Sequence, residues 1–202
     1  MGWLILLLFV AIIIVLLFNY RPKKADLSYL PERFVIFDLE TTGLDPLKHE
    51  IIEIGAIRVN RDSDIHDTFQ LLIRPNRKVP KKITEITGIT QAMLDAEGQA
   101  LDKALEGFRA FIGDLPLVSF NSEFDMAFLL KASEQHGVRF PNQVACALKM
   151  SRQAWPGRKS YRLSELAVDG NLSAEGTHRA LTDCQGALIV YGAAASRLRR
   201  AR

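Results

Sequence analysis

Asp38 and Glu40 stand two positions apart in FVIFDLETTGL, residues 34–44, directly after the apolar run Phe34–Phe37. A run of this kind is what a strand buried on both faces requires. Residues two apart on a strand point to the same side, so the two carboxylates are expected together at or just past the strand end. Thr41, Thr42 and Gly43 then stop the strand and set backbone donors beside the acids. Paired acidic oxygens at a strand mouth are what a hard divalent cation selects. A lone pair of this spacing would equally describe two solvated acids, so the rest of the chain has to decide.

Three more residues shift the balance. Asp125 falls in the first turn of a helix expected from Ser122 to about Gln135, and HRALTD places His178 and Asp183 at the start of a long final helix. Five positions along one continuous helix would offset two side chains by about 140°. His178 is therefore expected on the loop or at its junction with the helix, and Asp183 on the helix itself. Four converging carboxylates would repel by roughly 1 to 4 kcal/mol for each pair at ~4 Å, raising their own pKa values or failing to assemble without cations. Two divalent ions about 4 Å apart would relieve that repulsion and form a clamp for in-line attack on a phosphodiester. An imidazole such as that of His178 suits removal of a proton from the attacking water near neutral pH. Alone, His178 reads as a surface or capping histidine and Asp125 as a helix-terminal acid; the chemistry belongs to the set.

The elements that must position these residues can be read in order. Ile51–Val59 and His66–Ile73 are expected as strands joined by a turn over residues 60–64, hence antiparallel neighbours. ITEITGIT, residues 83–90, reads as a short helix closed by Gly88, with Thr90 capping the next segment. Glu97–Gly113 carries apolar residues at Ala100, Leu101, Ala104, Leu105, Phe108, Phe111 and Ile112, the stripe of an amphipathic helix. Leu115–Phe120 is expected as a strand, Val144–Met150 as a strand passing into a helix, Leu163–Ala167 as a short helix, residues 169–176 as a loop, and Arg179 to about Leu198 as the closing helix. Strands alternating with helices after an initial hairpin define an α/β domain with a mixed sheet covered by helices. Ligands in such sheets bind beyond the carboxyl ends of the central strands, where Asp38 lies.

The chain has 202 residues and a formal charge of +3 at pH 7, enough length for one domain and too weak a bias to indicate nucleic-acid binding by itself. Cys146 and Cys184 are too few for a disulfide framework and read as reduced thiols. Gly2–Phe18 is uninterruptedly apolar and no charged residue precedes Arg21. Such a helix would be hydrophobic all round and suited to lipid, with Trp3 and Tyr20 at the interfaces. A cleaved signal peptide is the rival, but there is no basic region before the run and no small-x-small site after it. Arg21, Lys23 and Lys24 follow the span, which by the positive-inside rule puts the amino terminus outside and the rest in the cytoplasm. The organisation expected is a transmembrane anchor at 1–20 in contact with a lipid bilayer, a linker at 21–32 and a catalytic domain at 33–202.

FDLETTGL with Asp38 and Glu40, FNSEFDMAFL with Asp125, and HRALTD with His178 and Asp183 together resemble the DEDD-type 3′-to-5′ exonucleases in their histidine-containing branch, the family that includes the proofreading epsilon subunit of bacterial DNA polymerase III. The resemblance runs from about Arg33 to Ala195 and includes the IIEIGAI and ITGIT blocks. It implies a ribonuclease H-like fold and release of nucleoside 5′-monophosphates from 3′ ends of single-stranded or frayed nucleic acid. The cofactors it implies are two divalent cations, Mg2+ or Mn2+, held by Asp38, Glu40, Asp125 and Asp183, with His178 as general base. By the same resemblance, the backbone around Thr41 and Thr42 holds the terminal nucleotide, Leu44 and Phe124 pack on bases, and Asn121 lies near the phosphate. Phe120 departs from the His that commonly precedes Asn121, and Cys146-Ala147 replaces a usual Asp-Thr, departures that bear on rate and substrate preference. A membrane-tethered exonuclease is the leading reading. A replicative proofreading subunit and a catalytically silent binding module are the alternatives, and DNA versus RNA stays open.

Overall fold

A computed structural model describes residues 30–63, 66–168 and 178–201 of the chain. The apolar run at 2–18, the linker up to residue 29 and the loop expected at 169–176 lie outside them. Among the described residues, no helix is long and apolar enough to cross a membrane.

Five strands form one mixed sheet, β1 (Arg33–Thr41), β2 (Ile51–Asn60), β3 (Asp67–Leu72), β4 (Leu117–Ser119) and β5 (Val144–Cys146), in the order β3-β2-β1-β4-β5. The pair β2–β3 is antiparallel, as the hairpin reading required; β1–β2 is antiparallel too, and β4 and β5 run parallel to β1. Seven helices follow in the described residues: α1 (Lys81–Thr87), α2 (Gln91–Glu97), α3 (Leu101–Ile112), α4 (Ser122–His136), α5 (Ala147–Ala154), α6 (Leu163–Val168) and α7 (Ala180–Arg200).

The central strand is buried on both faces because two different helix layers cover it. Val35, Phe37 and Leu39 pack with Leu105, Phe108 and Ile112 of α3 and Phe128 and Leu129 of α4. Phe34 and Ile36 face the other way, onto Cys184, Ala187 and Tyr191 of α7. Each such side chain contributes about 1.5 to 3 kcal/mol through burial, so neither face of β1 can turn to solvent without large loss. Asp38 and Glu40 continue the α7 face at the carboxyl end of the strand.

Two boundaries differ from the sequence reading. The strand runs on to Thr41, with an irregularity between Glu40 and Thr41, one residue further than expected, and the two acids lie at its end as read. The helix expected from Glu97 starts at Leu101 instead. Gly98 closes α2 there, and a Cβ on it would fall 2.3 Å from the Leu94 carbonyl oxygen and 2.9 Å from the Arg74 amide. The close backbone approach brings Gln99 into a parallel bridge with Ile73. The apolar stripe itself is as read, with Ala104, Leu105, Phe108 and Ile112 buried. Gly88 closes α1 with φ of 72°, and the Thr90 side chain accepts from the Met93 amide to cap α2.

Candidate active site at the mouth of the central strand

On the α7 face, the β1–β2 register sets Phe34 opposite Val59, Ile36 opposite Ile57, Asp38 opposite Gly55 and Glu40 opposite Glu53. The first two rows are apolar core and the last two are the site. Gly55 is where α7 comes down onto the sheet: a Cβ there would lie 2.5 Å from the Ala180 carbonyl carbon and 2.6 Å from the Leu181 nitrogen. That approach delivers Asp183, in the first turn of α7, to the two acids of β1. Ligand oxygens of Asp38, Glu40 and Asp183 all fall within 4.8 Å of one another.

Asp125 comes from the α4 side. It is 2% exposed, and its Oδ2 accepts a 2.8 Å hydrogen bond from the Ser119 hydroxyl at the end of β4. Its Oδ1 is buried with no hydrogen-bond partner. Asp125 does not join the three-carboxylate group at the 4.8 Å limit, but it is the foremost charge repelling Asp38.

Burial and mutual repulsion hold protons on these acids. Desolvation, followed by Asp125, Glu40, Asp183 and Glu53, raises Asp38 well above the ordinary carboxylate range. Glu40 is pushed up to about 8, first by desolvation and then by Asp183, Glu53 and Asp125, with Arg179 opposing. Asp125 rises to about 7 by burial, opposed by its bond from Ser119. Burial also raises Asp183, against the pull of His178. Clustered acids that cannot all ionise, one of them with a buried and unpartnered oxygen, are the donor set a divalent cation fits.

His178 precedes α7, as the five-residue spacing required, and its side chain is 60% exposed. Its Nδ1 lies 3.3 Å from Asp183 Oδ2. A ring that gives its Nδ1 proton to a carboxylate keeps its lone pair on Nε2, ready to accept another.

The residues assigned to substrate binding fall into three groups. Leu44 is 83% exposed, which removes core packing as its purpose. Phe124 is half-buried and packs on Phe128 with ring centroids 5.1 Å apart, so its ring is partly committed to the core. Asn121 is exposed at the start of α4 and its side chain makes no capping bond. Thr41 and Thr42 are buried, and their polar groups serve the loop: Thr41 Oγ1 donates to the Gly43 carbonyl at 2.7 Å, and the Thr42 amide donates to the Glu50 carbonyl at 2.9 Å. The Thr42 backbone donor expected for the nucleotide is thus engaged within the turn. Of the departures, Phe120 packs against the α7-side core and its carbonyl accepts from the Leu148 amide at 2.9 Å, while Cys146 ends β5 and buried Ala147 starts α5.

Sequence reasoning missed Glu53, Arg179 and Ser119. Glu53 is fully buried in β2 and forms an ion pair with Arg179, the residue after His178, at 2.6 Å. The signal available was a charged residue inside the apolar strand IIEIGAI, which in a two-faced buried strand demands a partner.

A mixed five-stranded sheet between helix layers, with an acidic cluster at the carboxyl end of its central strand, defines the class as a ribonuclease H-like α/β nuclease fold. The exonuclease family known as RNase_T matches residues 35–191; the chain belongs to that family and is a 3′–5′ exonuclease. The DNA polymerase III subunit epsilon of Aquifex aeolicus is 38% identical over 165 residues, covering 80% of this chain and 81% of that one. A PolC-type DNA polymerase III of Clostridium perfringens is 35% identical over 154 residues, 76% of this chain but a tenth (10%) of the much longer relative. Among solved structures, E. coli exonuclease I in complex with a dT13 oligonucleotide superimposes with a TM-score of 0.73 at 18% identity, over 85% of this chain and 42% of that one. That likeness speaks for the fold. Exonucleases of this family use divalent metal ions, and the carboxylate cluster fits that use.

Proposed function

We propose that the chain removes nucleoside 5′-monophosphates one at a time from the 3′ ends of single-stranded or frayed DNA, with RNA as the second substrate to test, and that residues 2–18 tether it to the cytoplasmic membrane with the catalytic domain inside. The observation that carries the chemistry is the meeting of Asp38, Glu40 and Asp183 within 4.8 Å, next to Asp125 and with His178 resting on Asp183. Asp38, Glu40, Asp125 and Asp183 would hold two ions, magnesium or manganese, whose charge when bound offsets that of the phosphate and the departing 3′ oxygen and favours ionisation of water. Nε2 of His178 takes the proton of the water whose oxygen attacks phosphorus, and the bond from phosphorus to the 3′ oxygen breaks in line. Leu44, exposed four residues past Glu40, and the outer edge of Phe124 offer apolar surface to bases of any identity. Asn121 donates toward the phosphate.

A direct test is digestion of 5′-labelled single-stranded DNA, duplex DNA and RNA of one sequence by the full chain in detergent, with magnesium, with manganese and with chelator. Stepwise shortening from the 3′ end is expected only with a metal, and Asp183→Ala is expected to lower the rate by at least ~10³-fold. Cleavage in chelator, or an unaffected Asp183→Ala, would remove the metal reading. The likeness over 81% of an epsilon subunit also favours a second reading, proofreading beside a polymerase. Its mark would be co-purification with a polymerase catalytic subunit and preference for mispaired over paired 3′ ends.

A further inference from the structure

The buried carboxylate of Glu53 accepts hydrogen bonds from three residues, Gln70, Arg179 and Ala180. Its Oε1 accepts from Gln70 Nε2 at 2.9 Å, from Arg179 Nε at 3.1 Å and from Arg179 Nη2 at 2.6 Å. Its Oε2 accepts from Arg179 Nε at 3.2 Å and from the Ala180 amide at 3.0 Å. The last bond matters for α7, because its N-cap residue Arg179 makes no side-chain cap of its own. A helix of this length begins with orphan amides and partial positive charge; here a carboxylate from β2, directly opposite Glu40 in the ladder, satisfies one of them.

His178 sits on the other side of the same grip. Its backbone amide donates to the Ile86 carbonyl of α1 at 3.2 Å. The imidazole is largely exposed, and its Nδ1 lies against Asp183 Oδ2. With little packing around it, the ring is placed by its contact with Asp183 and by its backbone, which is held on one side by α1 and on the other by the residue whose guanidinium is locked onto Glu53.

We propose that the Glu53–Arg179 pair is the positioning device for His178, fixing the general base relative to the carboxylates of β1 through a direct link between β2 and the start of α7. It rests on the general-base reading of His178 given above. Neither residue touches substrate in this proposal; both act through the histidine. Lysine at 179 would keep a cation for Glu53 but lose the forked grip that engages Nε and Nη2 together, leaving the backbone at His178 free to shift. A shift of that kind lowers the chemical rate and leaves substrate and metal binding in place.

The experiment is a double-mutant cycle on the full chain, with kcat, KM, manganese affinity and melting temperature measured for wild type, Arg179→Lys, His178→Ala and the combination. A second cycle uses Glu53→Gln with Arg179→Gln, which removes both charges together and leaves no lone buried ion. Arg179→Lys is expected to lower kcat by ~10- to 100-fold with KM and manganese affinity within about threefold, and to lower it less than about twofold further when His178 is already alanine. Equal losses with and without His178 would show that the pair serves the fold alone and would overturn the proposal. So would a change confined to KM or metal affinity. A His178→Ala enzyme as fast as wild type would instead remove the general-base reading, and the proposal with it.

Discussion

Glu40 and Asp125 keep protons over a range where free carboxylates have lost them, which makes the metal-free protein sensitive to pH in a definite direction. An unfolded Glu40 titrates near 4.5 and the folded one near 8; for Asp125 the corresponding values are 3.8 and about 7. Between those limits the folded state binds protons that the unfolded state has released, so stability falls as pH rises. Their contribution is fully present below about pH 4 and is gone by about pH 8. A cation takes the place of the protons, and binding should release them. The expected outcome is a melting temperature in chelator that declines from pH 5 to pH 8, and a decline abolished by millimolar manganese, with Glu40→Gln flattening the metal-free curve. A metal-free melting temperature that rises over this range would show that the acids are not crowded as described. The same residues show how far types and spacing reach. Asp38, Glu40, His178 and Asp183 were singled out as an ordered set of motifs that resembles a known family, since spacing alone left each open to a bland reading; the structure then brings Asp38, Glu40 and Asp183 within 4.8 Å of one another. Glu53 was not, because one charge in IIEIGAI looks like a solvent-facing position until α7 is known to lie over it.

At the scale of elements, the site exists because α7 touches the sheet at Gly55. The atoms that a methyl at this position would strike are backbone atoms of Ala180 and Leu181, which cannot swing aside as a side-chain tip would. Gly55→Ala should lift the first turn of α7, at a cost of about 1 to 3 kcal/mol, and carry Asp183 away from Asp38 and Glu40. Displacement of a catalytic group by ~1 Å is enough for a rate loss on the order of 100-fold. Gly137→Ala is the control: its φ of 73° penalises a side chain, yet nothing lies within 4 Å of the added methyl, and it ends α4 at the pole away from Asp125. Both variants should melt earlier, but only Gly55→Ala should lose activity and manganese binding. Retention of full activity by Gly55→Ala would mean that α7 does not need this contact to place Asp183. The order and kind of elements were readable from periodicity. The break between α2 and α3 was not, since the apolar stripe gives no warning that Gly98 is pressed against the Leu94 carbonyl and the Arg74 amide.

At the scale of the molecule, the end of the fold where the described chain begins lies opposite the site. Leu30 is buried with Phe34, Val59 and Ala195, at the start of β1, whereas Asp38 and Glu40 lie near its end. Six residue-to-residue steps of strand from Phe34 to Glu40 separate the two ends by about 20 Å. The chain from residue 19 to residue 29 can span at most about 40 Å. If residues 2–18 tether the domain as proposed, a mouth at the end of β1 opposite Leu30 would face away from the bilayer. Anchoring would then cost little catalytic power if the mouth stays more than about 8 Å from the lipid, the distance within which an anionic surface is screened at physiological salt. The full chain is expected to sediment with vesicles and resist carbonate extraction, and a chain lacking residues 1–20 to remain in the supernatant. On a single-stranded oligonucleotide, kcat/KM for the anchored enzyme in anionic vesicles should match that of the freed domain within about threefold. A full chain recovered in the supernatant without detergent would dispose of the tether. An anchored enzyme slowed tenfold or more, with the freed domain unaffected, would show that the bilayer covers the mouth, contrary to the placement of Leu30 at the opposite end of β1.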